Sequence, residues 1–246
     1  DPVTVDILAP LAERYPGVRA GRIPPEADGP IRAMPLVLRL ERRAPLRTAV
    51  LDAAAAAALA VCLDPRSAPG GPWHGAVTSW IAGRIRKIAR RARGAHWHAV
   101  QDLPGVTVRI DPDPDMADAA SPAEVRALVP GPVDETPKVV SRLQIGGTDL
   151  PLDEPGEPPP DAVLIALNPQ VAMTVGKAAA QVGHASMLWA AVRGVRHVPR
   201  FAVRTAEPDQ WQKLCAAVDR GEAVAVRDAG FTEVDPGTMT CIAVSS

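Results

Sequence analysis

Ten residues in the middle of the chain, Pro151-Leu-Asp-Glu-Pro-Gly-Glu-Pro-Pro-Pro160, constrain the fold more than any other segment. Five are proline and three are acidic. Proline fixes φ and has no backbone N–H to donate, so the segment is neither a helix nor a central strand. It reads as a stiff, extended linker. The 246 residues then divide into an irregular Pro/Gly-rich segment over 1–30, a domain over 31–150, the linker over 151–160 and a second domain over 161–246. A short helix is expected near Ile7–Tyr15, and Asp111-Pro-Asp-Pro-Asp-Met-Ala-Asp118 reads as a surface loop.

Composition closes off several classes. The longest apolar run, Ala53 to Leu63, falls far short of the roughly 20 residues of a membrane span, so no membrane association is expected. A net charge of −1 gives no global attraction to nucleic acid, so an RNA contact would have to come from a local patch. Three scattered cysteines, Cys62, Cys215 and Cys241, without a CxxC pair, suggest neither a disulfide framework nor a zinc cluster. No metal or cofactor is expected, and the protein reads as cytoplasmic. No secretory leader is read at Asp1, although a chain that opens without Met leaves a processed start open. Lysine is rare here, with Lys87, Lys138, Lys177 and Lys213 the only ones among 27 basic residues, so each invites inspection.

The two parts are patterned alike. Pro35-Leu-Val-Leu-Arg-Leu40 is strand-like and precedes a helix-prone run from Thr48 to Cys62. Ala162-Val-Leu-Ile-Ala-Leu167 is strand-like and precedes a helix-prone run from Thr174 to Val192. Aligning Leu36 with Val163 needs no gap as far as Ala58 and Ala185. Each part then continues through a basic or mixed strand-like piece and a Trp-containing stretch to a valine-rich run, Val106-Thr-Val-Arg-Ile110 and Ala223-Val-Ala-Val-Arg227. The fold expected is α/β, a tandem repeat of a three-layer α/β/α domain with a mixed four-stranded sheet.

Polar residues converge in the second part. On a helix, Lys177, Gln181 and His184 stand at i, i+4 and i+7 and share one stripe, while Val175, Ala179, Val182, Ser186 and Trp189 form an opposite stripe suited to packing. Gly176, Ala180 and Gly183 leave room for a close approach. Asp228 ends a buried-strand run, where open α/β sheets bind ligands. No Gly-x-Ser-x-Gly elbow and no HExxH helix is present, which disfavours a serine nucleophile and a zinc-bound water. Arg84-Ile-Arg-Lys-Ile-Ala-Arg-Arg-Ala-Arg93 carries six basic residues. It reads either as a solvated helix face, through Ile81, Ile85, Ile88 and Ala92, or, from the repeat, as a strand over 86–92, with Arg90 and Arg91 as candidate RNA contacts.

Taken together, Gly176-Lys-Ala-Ala-Ala-Gln-Val-Gly-His-Ala185 and Asp228-Ala-Gly-Phe-Thr-Glu-Val-Asp-Pro-Gly-Thr-Met-Thr240 resemble the type-two peptidyl-tRNA hydrolase family over about residues 162–244. The resemblance implies metal-independent hydrolysis of the ester between a peptide and the 3′ end of tRNA, with tRNA as partner. It implies Lys177, Asp228 and Thr232 as catalytic positions. Gly176, Gln181, His184, Gly230 and Thr238 would line the site. Phe231 stands where the family often has a basic residue, a departure that bears on one phosphate contact. No counterpart of the family's closing segment is expected between the last strand-like run and Ser246. Val125–Val133 and Val139–Ile145 look like that closing element, which makes the first part a degenerate copy. There, Val50, Ala54 and Ala57 stand where Lys177, Gln181 and His184 stand in the second. One site per chain is expected, in a monomer that holds its own pseudo-dimer. The alternative is a non-catalytic tRNA- or nucleotide-binding protein that keeps the fold. For ester hydrolysis Lys177 would stabilise negative charge on the scissile carbonyl or on a terminal phosphate, and Thr232 would hydrogen-bond substrate or Asp228. For catalysis Asp228 would orient or activate water, with His184 as the alternative base.

Overall fold

The computed structural model describes residues 6–228 and 237–245. It is a mixed α/β structure built on two mixed sheets, with seven α-helices among the described residues. The first part contains α1 (Ala9–Arg19), β1 (Arg32–Arg39), α2 (Arg47–Leu63), α3 (His74–Ile81), β2 (Lys87–Ala92), α4 (Gly94–Val100), β3 (Gly105–Ile110), β4 (Ala123–Leu128), β5 (Gly131–Pro132) and α5 (Lys138–Ser141). The second contains β6 (Val163–Leu167), α6 (Val175–Arg193), β7 (Phe201–Thr205), α7 (Pro208–Asp219), β8 (Val224–Arg227) and β9 (Met239–Val244). No helix among the described residues is long and apolar enough to cross a membrane.

The two sheets share one plan. The first runs β2-β1-β4-β3, with β5 also on β1, and the second runs β7-β6-β9-β8. In each, the first strand pairs parallel with the second and antiparallel with the fourth, which pairs antiparallel with the third. Pro35 lies within the central strand β1, where a proline is unusual. It sits opposite the break between β4, which pairs with Leu36–Leu38, and β5, which pairs with Arg32 and Ala33, so no ladder bond is lost there.

Helices α2 and α6 pack against each other and against both sheets, and a single core runs through both parts of the chain. Their small side chains permit a close crossing: a Cβ built on Gly183 would lie 3.3 Å from the Cβ of Ala58. The alanine run of α2 thus serves helix–helix approach. Val50, Ala54 and Ala57 are fully buried in that core. Outer layers come from α4 and α5, through Trp97, Val100 and Val140 on the first sheet, and from α7, through Trp211 and Leu214 on the second.

The basic segment becomes a strand from Lys87 onward, because register with β1 buries Lys87, Ala89 and Ala92. The helical alternative is not adopted. Helix α1 runs past Tyr15 and through Pro16 to Arg19, longer than the sequence predicts. Packing of Leu11 and Tyr15 outweighs the proline, and the Tyr15 hydroxyl accepts a hydrogen bond from Ala225 N at 2.9 Å on the edge strand β8. The proline-rich stretch over 151–160 is extended, as its composition requires, but it is tied down. Asp153 Oδ1 accepts from the backbone N and hydroxyl of Thr48 at 3.0 and 2.9 Å, and Arg204 Nε donates to Gly156 O at 2.9 Å.

Candidate functional site

Thr174 caps α6, its hydroxyl accepting from Lys177 N at 3.2 Å, and so places Lys177 in the first turn. The other first-turn donors are taken by the end of the first part: Val175 N donates to Asp149 Oδ1 at 2.9 Å and Gly176 N to Thr148 O at 3.1 Å. Arg47, 7% exposed, fixes this cap by donating to Asp149 Oδ1 at 2.6 Å, Leu150 O at 2.7 Å and Met173 O at 2.5 Å. These three backbone N–H groups of α6 are therefore committed to protein partners. Gly176 packs against Thr148 and does not line the cleft described below.

The Lys177 side chain forms a buried ion pair with Asp228 Oδ1 just beyond the end of β8, the two side chains being 9% and 3% exposed. Gln181 Nε2 donates to the same oxygen at 3.3 Å, and its Oε1 accepts from the Thr240 hydroxyl at 2.6 Å. Backbone bonds hold the strand end: Asp228 N donates to Thr238 O, and Gly237 N to Asp228 O, both at 2.8 Å. Lys177, Gln181 and Asp228 thus meet as the sequence predicts, with Thr238 contributing its carbonyl. Thr232 and Gly230 lie outside the described residues.

His184 points into the same space but has a partner from the other part of the chain. Lys87 Nζ lies 2.7 Å from His184 Nδ1, 3.1 Å from Ile85 O and 5.0 Å from the Trp80 ring centroid. Gly183 makes this contact possible, since a Cβ there would meet Lys87 Cδ and Cε at 3.0 Å. The close approach that the small residues of α6 invite is made by Lys87. Ile85 adopts φ +50°, a left-handed conformation that is an outlier for a β-branched residue. Burial pushes the Lys87 amine down to about 7 from its ordinary 10.5. Burial first, and then the charges of Lys87 and Lys177, hold His184 well below the usual imidazole range, so its ring is neutral.

These groups line a cavity of about 310 Å³ between α1, residues 83–88, α6 and the end of β8. Its wall carries Arg14, Arg22, Arg84, Arg86, Arg227, Lys87 and Lys177; among the described residues Asp228 is the one carboxylate in that wall, and Glu26 beside it pairs with Arg84 at 3.5 Å and Arg86 at 2.6 Å. Leu11, Val18, Ile23, Ile85 and Leu188 supply an apolar surface beside the charges. A pocket of this size with few convergent polar groups fits a small organic moiety, and the cationic excess favours an anionic one. Arg90 and Arg91 are not part of it. They hold the loop after α5, Arg90 Nη1 donating to Leu143 O at 3.1 Å and Arg91 Nη2 to Gln144 Oε1 at 2.6 Å. Among the described residues no group of His, Cys, Asp and Glu is arranged to hold a metal ion.

Local spacing could not find Lys87, Arg14 or Arg22, which come from the first part of the chain. The one sequence signal for Lys87 was the scarcity of lysine. No family model matches the chain, and comparison with curated proteins and with solved structures finds no match either.

Proposed function

We infer that the cleft hydrolyses the ester joining a peptide to the 3′ end of tRNA, in the manner of a type-two peptidyl-tRNA hydrolase. The observation that supports this best is the buried Lys177–Asp228 pair, braced by Gln181 and opening onto a cationic cavity. Asp228 accepts a proton from the attacking water as its oxygen bonds to the ester carbonyl carbon. Lys177 stabilises the negative charge that develops on the carbonyl oxygen, and the tRNA 3′-oxygen leaves with the proton that Asp228 took from the water. Gln181 holds the carboxylate in place. The neutral imidazole of His184 is the alternative base.

The same reading takes the first part of the chain as a degenerate copy of the second, joined in an internal pseudo-dimer. The shared strand order of the two sheets and the buried Val50, Ala54 and Ala57 support it. The second reading is binding of tRNA or a nucleotide without chemistry. It is favoured by the first-turn amides of α6, which are committed to Thr148, Asp149 and Thr174 and so cannot stabilise an oxyanion. Release of the acyl group from an N-blocked aminoacyl-tRNA decides between them. Hydrolysis that Lys177→Ala and Asp228→Ala both abolish supports the enzyme, and tight binding without release supports the binding protein.

A further inference from the structure

Lys87 is 8% exposed, yet its partners are a carbonyl, an imidazole and an indole ring, with no carboxylate among the described residues. Burying an amine without a counter-charge is costly. Two further costs are incurred at the same place. Ile85, whose carbonyl receives the amine, is in a strained conformation, and α6 carries a glycine at 183 against the Lys87 stem. Three local rules are broken around one side chain that faces a cavity, the pattern expected where a ligand completes the environment.

We propose that the first part of the chain supplies a phosphate-binding lysine to the cleft, with Lys87 taking the phosphate of a nucleotide and becoming protonated as the nucleotide binds. The anion site stands on the geometry around Lys87, and the choice of a nucleotide phosphate rests on the function inferred above. Lys177 and His184 are seven residues apart on α6, about 10 Å along the axis at the backbone, and Lys87 and Lys177 line one cavity. The other titratable or charged groups described near Lys87 are Cys62 on α2, His184 and Lys177 on α6, Arg14 on α1, Arg22 after it, Arg84 and Arg86 on its own segment with their partner Glu26, and Arg227 and Asp228 at β8. Burial pushes the Cys62 thiol up to about 12 and His184 is neutral, whereas Lys87, pushed down to about 7, changes charge near pH 7.

Calorimetric titration of the full chain with adenosine 5′-monophosphate, and with adenosine as control, tests this between pH 7 and 9. The nucleotide is already a dianion there, its second pKa being about 6. The expected result is a dissociation constant that rises about tenfold per pH unit, uptake of about one proton at pH 8, and neither effect with adenosine. Lys87→Met should remove both effects and weaken binding about tenfold or more. Gly183→Ala, which displaces the lysine stem without removing it, should weaken binding in the same direction. Equal binding of the nucleotide and adenosine, a pH-independent constant in the unmodified chain, or unchanged affinity in Lys87→Met would overturn the proposal. If proton-linked nucleotide binding persists in a protein that does not release acyl groups from tRNA, the anion site stands and the hydrolase reading falls.

Discussion

Asp52 Oδ1, on α2, accepts a hydrogen bond of 2.7 Å from the backbone N–H of Val203, so a helix of the first part closes the exposed edge of the second sheet. At the opposite edge, Tyr15 does the same for Ala225 on β8. Unpaired edge strands invite aggregation, and here side chains from the other part of the chain cover both edges.

Burial raises the Asp52 carboxyl to about 7 from its ordinary 3.8. The folded chain therefore holds a proton that the unfolded chain releases, and the stabilisation is full below about 4 and lost as pH rises through about 7. Asp52→Asn keeps an oxygen for Val203 and does not titrate. Thermal melting from pH 4 to 8 should show the unmodified protein losing stability relative to Asp52→Asn across that window, and parallel curves would contradict this.

Lys87 has the opposite slope. Between about 7 and 10.5 the unfolded chain carries the proton and the folded chain does not, so stability rises with pH in that window and is lost as pH falls through about 7. Lys87→Met should be more stable than the parent at pH 6.5, with the advantage shrinking toward pH 10. Urea midpoints at both ends of the range check it.

Asp228→Ala strands the buried ammonium of Lys177, and breaking a buried pair costs about 3–5 kcal/mol. The double variant Lys177→Met with Asp228→Leu should be markedly more stable than Asp228→Ala, because it buries no unpaired charge. Both should lose at least about 10²-fold in the ester hydrolysis proposed above. Turnover near that of the parent in Asp228→Ala would remove the carboxylate from the mechanism.

Arg47→Met removes three charge-assisted hydrogen bonds at the junction of α2, the segment before 151 and the start of α6. Buried carbonyls are left without donors, and a loss of about 3 kcal/mol is expected in chemical denaturation. Activity should fall with it, because Asp149 also caps the turn that carries Lys177. A variant as stable as the parent would show that the cap holds without the arginine.

Elements whose signal is local were legible without coordinates. Apolar runs and helical spacing placed β1, β6, α2, α6, β3 and β8 within a few residues, since burial of one face imprints a short-range pattern. The meeting of Lys177 and Gln181 with Asp228 was readable only through the family resemblance, because spacing gives the helical stripe and the strand end but not that they face each other. The extension of α1 through Pro16 was not, because tertiary packing outweighs a local breaker there.

The sequence by itself determined the α/β class, the extended stretch over 151–160 and the stripe that carries Lys177, because each follows from neighbours along the chain. Only the tertiary structure decided that Lys87 meets His184 across 97 residues, that the space beside Gly183 is filled by that lysine, and that Asp149 occupies the start of α6. Those contacts depend on how two helices cross inside one shared core, and no spacing within either part encodes that crossing.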